Sequence, residues 1–253
     1  DMGIIYLVFD FMDQNLYQYL KYSRNDPYEY KLNIMYKIID GLDYIHSFDI
    51  IHSDLKPENI MYDLPTKKLK IIDFGSSFYE EEKKLKVYIQ SRYYRAPEII
   101  YNLEYDKSID IWSYICIFYE LFFNHPLFPG CNEKDMIFKF SELIDVPHDF
   151  KQYTKSSFFM KNFFYDSISN YYEKLKCAKT AYKSYKTYNK YNLYSLLLSQ
   201  TRKIFPELIE SNNDDKFLNL SNLFFKILKY NKEERLISSE IIDDILFENF
   251  KKI

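Results

Sequence analysis

The sequence predicts one mainly α-helical domain with a few short β-strands. Three observations carry that expectation. Between Tyr28 and Phe48, Leu32, Met35, Ile38, Ile39, Leu42 and Ile45 recur at the spacing that lines one face of a helix. The most apolar stretch, "IWSYICIFYELFF" (111–123), has 13 residues with Glu120 inside, too short for a membrane span and suited to a helix buried in a core. The strand-like runs are brief and broken by Asp, Pro and Lys turns. The chain has 253 residues, 47% hydrophobic with 27 Tyr and 22 Phe, enough for one large core, and it shows no repeat or internal boundary.

Taken in order, "IIYLVF" (4–9) is β-branched and aromatic and is expected to be a short buried strand, broken by "DFMDQ". A helical run follows to about Tyr22, and "SRNDP" (23–27) turns the chain into the long amphipathic helix. "IIHSDLKPENIM" (50–61) is a loop with Pro57 inside it. "NIMY" (59–62) and "KLKIID" (68–73) read as a hairpin-like pair of strands joined by "DLPTKK". "DFGSS" leads through a polar segment to "RAPEII" (95–100), and the apolar helix is expected from Asp110 to Phe123. Residues 151–200, rich in Lys, Tyr and Ser, read as an irregular, partly helical insert with a solvated surface. A last amphipathic helix is expected over Ser238 to Phe247.

A net charge of −3 gives no footprint for nucleic acid or an anionic membrane, so neither is expected as a partner. Cys116, Cys131 and Cys177 are odd in number and show no CxxC. That argues against a disulfide framework or zinc site and for an intracellular location, cytoplasmic or nuclear. Cys116 reads as a small core residue. His46, His52, His125 and His148 lack metal-ligand spacing.

The chemistry concentrates in the 50–61 loop. Asp54 follows an apolar run that would fix its place, and could accept a proton from a hydroxyl nucleophile. Lys56 offers a point charge suited to phosphate. Asn59 offers an amide oxygen and Asp73, beyond the hairpin, a carboxylate. If they converge, they form a hard-oxygen pair of the kind Mg2+ takes with phosphates completing its shell. Positioning, metal and charge stabilisation are the parts phosphoryl transfer requires.

"HSDLKPEN", "DFG" and "APE", in that order, resemble the eukaryotic protein-kinase signature. "KIIDFGSS", "YIQSRYYRAPEII" and "PLFPG" resemble more narrowly the dual-specificity tyrosine-regulated kinases and their homeodomain-interacting and Yak-type relatives. Ser53 fits that group, which usually has a small residue where most kinases carry Arg. "YLVFDFMDQNLYQYL" resembles the last small-lobe strand, the hinge and the first large-lobe helix. "YDKSIDIWS" resembles the start of the central helix. The resemblance therefore implies a kinase-like large lobe over 16–253, with 1–15 as the last small-lobe strand and hinge and the rest of the small lobe missing.

The same resemblance implies an ATP- and Mg2+-dependent serine/threonine kinase, monomeric, acting on protein substrates. By it, Asp54 is the catalytic base, Lys56 meets the γ-phosphate, and Asn59 and Asp73 hold magnesium. Phe9 is a gatekeeper, Asp10 and Met12 meet adenine through their backbone, and Asn15 and Glu58 lie where ribose contacts fall. Tyr88 is an autophosphorylation site whose phosphate Arg92 and Arg95 could clamp. His52 and Asp110 hold the catalytic loop, and Arg235 of "NKEERL" pairs with Glu98.

Departures are Lys86, where the group has a first activation-loop tyrosine, Ile115, where it has Gly, and the absence of a Gly-rich phosphate loop and a strand lysine. The chain alone is accordingly expected to be inactive, and its 4–9 strand to be an exposed apolar edge prone to aggregation. A pseudokinase or scaffold binding protein partners through this lobe is the alternative. A metabolite or lipid phosphotransferase is a weaker one, opposed by the "SRYYRAPE" segment.

Overall fold

The protein is described by a computed structural model over residues 6, 8–82, 89–144, 182–210 and 214–251. In chain order the elements are β1 (Gln14–Asn15), α1 (Leu16–Leu20), α2 (Tyr28–Ser47), β2 (Ile50–Ile51), β3 (Ile60–Tyr62), β4 (Leu69–Ile71) and β5 (Phe78–Tyr79). There follow α3 (Pro97–Ile100), α4 (Ser108–Phe123), α5 (Glu133–Leu143), α6 (Tyr182–Ile204), α7 (Glu207–Glu210), α8 (Asp214–Ile227) and α9 (Ser238–Ile242). The mainly helical expectation holds.

Helix α4 is the axis of the core. Every residue from Ile109 to Phe123 is buried, as suits a helix apolar on all sides. Aromatic rings set its neighbours. Trp112 stacks on Phe128 at 5.6 Å and meets Phe140 edge-on at 5.1 Å, while Phe118 meets Phe224 of α8 at 5.5 Å. Ile115 is fully buried, so the core has made room for its β-branched side chain. Helix α2 begins after Pro27 with Glu29 in its first turn, and lays Leu32, Met35, Ile38, Ile39, Leu42 and Ile45 into the core as the spacing foretold.

The strands are short and serve to aim loops. β3 pairs antiparallel with β1 and β4, with Ile60 opposite Ile71, which is the expected hairpin. β2 pairs with β5, Ile51 opposite Phe78. The ends of the site loop are thus fixed by two separate sheets.

Some elements differ from expectation. Tyr6, Val8 and Phe9 are 79%, 93% and 80% exposed and lie in no strand. A β-rich sequence becomes a strand only when a neighbouring strand takes its hydrogen bonds, and none among the described residues does so. The last predicted helix divides into α9 and a 3-10 turn over Ile245–Phe250. Asp244 accepts the N–H of Leu246 (3.1 Å), so its side chain restarts the chain instead of letting the helix continue. Of the 151–200 insert, 151–181 fall outside the described residues. The rest belongs to α6, a 23-residue helix that buries Leu193 and Leu197. No helix among the described residues is long and apolar enough to cross a membrane.

Candidate active site

The loop between β2 and β3 is held from below by one carboxylate. Asp110, at the start of α4, is fully buried. Its Oδ2 accepts the N–H of His52 at 2.8 Å and its Oδ1 the N–H of Ser53 at 2.9 Å, and His46 Nε2 lies 3.1 Å from Oδ2. A buried carboxylate needs such donors, and these two backbone groups need an acceptor because the loop offers them no ladder. Ser53 takes a left-handed backbone (φ 64). Its hydroxyl donates to Ser76 O (2.8 Å) and its carbonyl accepts the N–H of Gln90 (3.0 Å). The small residue therefore ties the loop to the two segments that pass over it. Asp73 (φ 65) and Gln90 (φ 64) are left-handed as well, and non-glycine residues held in that region cluster where function demands them.

His52 is buried, and its Nε2–H donates to Ile72 O (2.9 Å). Its Nδ1 accepts the N–H of Asp54 (3.3 Å), and its ring meets Phe74 edge-on at 5.2 Å. It steadies both the loop and the "DFG" segment.

Asp54 stands at the centre. Its Oδ2 is 2.6 Å from Lys56 Nζ and 3.4 Å from Asn59 Nδ2, whose other bond goes to Asp54 O at 2.9 Å. Its Oδ1 accepts from Ser91 twice, from Oγ at 2.8 Å and from the backbone N–H at 3.1 Å. Lys56 Nζ reaches Ser91 Oγ at 3.3 Å. Asn59 thus spends its donors on Asp54, and among the described residues its amide oxygen has no hydrogen bond. The N–H of Ile72 donates to Asn59 O (2.9 Å), so Asp73 leaves the β3–β4 pair beside Asn59, exposed, its Oδ1 accepting Gly75 N–H at 3.4 Å. Asn59, at the end of the turn before β3, and Asp73, just after β4, both present hard oxygen atoms.

The other predicted residues divide. Glu98 and Arg235 form a buried bidentate pair, Nη1–Oε1 2.6 Å and Nη2–Oε2 2.7 Å, with Arg235 Nε also donating to Lys229 O. Asp10 pairs with Lys70 on β4, which holds its carboxyl below the usual range. Phe9 is exposed and Met12 half-buried on the segment leading into β1. Asn15 serves α1 as a capping box, accepting Gln18 N–H at 2.9 Å, and Glu58 is exposed. Tyr88 lies outside the described residues. Arg92 Nη1 donates to Cys131 O (2.8 Å), and Arg95 is buried on backbone carbonyls.

Ser91 was missed by the sequence reading. Nothing local marks it, because its partner lies 37 residues away; only its place in the "QSRYYR" run hinted at it. Behind it, Tyr94 OH donates to Glu120 Oε2 (2.6 Å). Burial pushes the Glu120 carboxyl up, although that bond pulls it down.

The chain belongs to the protein kinase domain family, which matches it over residues 2–247. Its relatives place it more narrowly among the kinases named for dual specificity, homeodomain interaction and Yak. It is 44% identical over 144 residues to a Dictyostelium discoideum kinase named dyrk2, and 40% over 149 residues to homeodomain-interacting protein kinase 2 of Mesocricetus auratus. It is 44% identical over 144 residues to dual specificity protein kinase YAK1 of Saccharomyces cerevisiae. These matches cover 56%, 57% and 56% of this chain but only 16%, 13% and 18% of the relatives, so the chain spans a small part of their length.

Proposed function

We propose that the protein is a serine/threonine kinase that transfers the γ-phosphate of ATP to protein hydroxyls. The observation that carries this is the Asp54 carboxylate, held by Lys56, Asn59 and Ser91 on a loop anchored by Asp110. A substrate hydroxyl brought to Asp54 while Ser91 holds its Oδ1 would donate to the carboxylate. As its oxygen bonds to phosphorus and the bridging bond to ADP breaks, the proton passes to Asp54. Lys56 then balances charge on the transferring group. Asn59 and Asp73 would hold magnesium, which when bound neutralises phosphate oxygens. Phe9, Asp10, Met12, Asn15 and Glu58 are proposed for the nucleotide, and Tyr88 for autophosphorylation.

The substrate groove also supports a preference. Gln90 is left-handed, and both Ile89 O (3.0 Å) and Gln90 O (2.8 Å) accept from Arg95. A substrate residue passing over this turn after the phosphoacceptor finds those carbonyls taken. Proline has no N–H to leave unpaired there, so a proline-directed substrate is the class this supports.

The 253 residues hold glycines only at 3, 41, 75 and 130, so they contain no Gly-rich phosphate loop. With two or three charge-assisted phosphate bonds absent, each worth roughly 1.5–3 kcal/mol, transfer by this chain alone should be slower by several powers of ten. A rate matching a complete kinase domain of a relative would refute this. The main test is phosphate mapping of the complete gene product expressed in bacteria, beside Asp54→Asn. Phosphate in the first and not the second supports the reading. A folded protein with phosphate in neither, supplied with Mg·ATP, favours a scaffold.

A further inference from the structure

We propose that the cleft between the end of α2 and β5 is a docking site for an arginine-bearing segment of a partner protein. None of the groups that line it takes part in the reaction proposed above.

Phe48, just past α2, and Tyr79 of β5 flank an open cleft of about 630 Å³, whose other lining residues are Asp49, Glu80 and Glu81. The two aromatic side chains are 54% and 50% exposed. Tyr44, one turn back on α2, is exposed as well and meets Phe48 edge-on at 5.0 Å. Neither Tyr44 nor Phe48 belongs to the apolar stripe that α2 lays into the core. Aromatic surface left in water and rimmed by charge is the signature of an interaction site.

Charge selects the occupant. Glu82 follows Glu80 and Glu81 in one 3-10 turn, so with Asp49 the rim carries a run of carboxylates. Glu81 and Glu82 form no ion pair among the described residues. Lys107 is already spent on Asp49 (2.6 Å), Glu80 (3.4 Å) and the carbonyl of His46 (3.0 Å). That carbonyl belongs to the last turn of a 20-residue helix, whose C-terminal end adds negative potential. Aromatic faces beside carboxylates suit a guanidinium, which lies flat on a ring while its edge donates in pairs to an acid. An ammonium has no flat face to stack.

The walls are set before anything binds. β2 pairs with β5, Ile50 opposite Tyr79, and the N–H of Glu80 donates to Asp49 O at 2.7 Å. A preformed cleft loses little entropy when it is filled.

The test is an anisotropy titration of the complete gene product without nucleotide. The probes are the fluorescein-labelled peptide Arg-Leu-Arg-Arg-Leu-Arg and the same peptide with Lys or Glu in place of Arg. The arginine peptide should bind several-fold tighter than the lysine peptide, and the glutamate peptide should not bind. Phe48→Ser removes a stacking face and Glu81→Lys reverses an exposed charge. Each should weaken the arginine peptide by roughly threefold to tenfold. Both positions are exposed, so both variants should melt near the parent. Arginine-peptide binding that is absent, or unchanged in both variants, overturns the proposal. Equal binding of the arginine and lysine peptides overturns the assignment to arginine. Binding that appears only when Lys83, Lys84 and Lys86 are replaced by Ala shows that the chain fills its own cleft, and overturns the partner.

Discussion

Replacing Asp110 by Asn tests the anchor of the catalytic loop. The side chain keeps its size but exchanges one acceptor oxygen for an amine. Asp110 accepts two backbone N–H groups, His52 at 2.8 Å and Ser53 at 2.9 Å, and neither has room to turn toward water because both residues are fully buried. In Asp110→Asn one of these bonds survives without its charge, and the other N–H faces an amine and is orphaned. A hydrogen bond to a charged group contributes roughly 1.5–3 kcal/mol and an orphaned buried donor costs about 1–3 kcal/mol. His46 Nε2 can offset part by accepting from the new amine. The expected net loss is roughly 2–4 kcal/mol, or about 5–15 °C in Tm for a chain of this size. Urea unfolding should show a lower midpoint with unchanged slope, and hydrogen exchange should show His52 and Ser53 amides opening sooner. A loss below about 1 kcal/mol with both amides still protected refutes the anchor argument; exposed Glu82→Gln is the control.

Three further predictions follow from individual contacts. Arg235→Ala strands Glu98 in the core and should cost roughly 3–5 kcal/mol by denaturant unfolding, whereas Arg235→Met with Glu98→Leu should recover much of it. Lys31 is fully buried, with Nζ 3.4 Å from Arg24 O and Phe122 O, and burial pushes its ammonium down to about 8 from 10.5. Between those values the unfolded chain binds more protons than the folded one, so stability should rise with pH from about 8 toward 9.5; Lys31→Met should flatten that rise and gain roughly 3 kcal/mol at pH 7. The buried tyrosines, such as Tyr28 and Tyr94, are pushed up by burial and reverse the trend above about pH 10, so melting curves at pH 7 to 9.5 decide it. Ser91→Ala frees one side of Asp54 and should lower kcat of the complete gene product by roughly tenfold or more with KM little changed; an unaltered kcat would show that Ser91 does not orient the base.

How much could be read beforehand depended on the range of the interaction. Helices α2 and α4 were legible because their apolar residues repeat within a few turns, and the β3–β4 pair because its turn lies between the two strands. Asp54, Lys56 and Asn59 could be singled out as candidates because their spacing and the company of "DFG" and "APE" resemble a known pattern. Of the strand expected at 4–9, residues 4, 5 and 7 lie outside the described residues and Tyr6, Val8 and Phe9 lie in no strand, because pairing, unlike helix formation, needs a second segment. α9 was drawn too long because a cap at Asp244 outweighs apolar periodicity.

The amino-acid order by itself determined that this is a mainly helical kinase domain and singled out the side chains proposed for its chemistry, since periodicity and motif are local properties of the chain. Tertiary structure decided how that chemistry is held. Asp110 meets His52 from 58 residues away, Ser91 meets Asp54 from 37 and Glu133 meets Arg95 from 38. Ser53 and Gln90 are bent into left-handed backbone that their residue types do not ask for. No local spacing encodes such contacts, because only the packed core places those segments side by side and supplies the energy that keeps the strained residues in place.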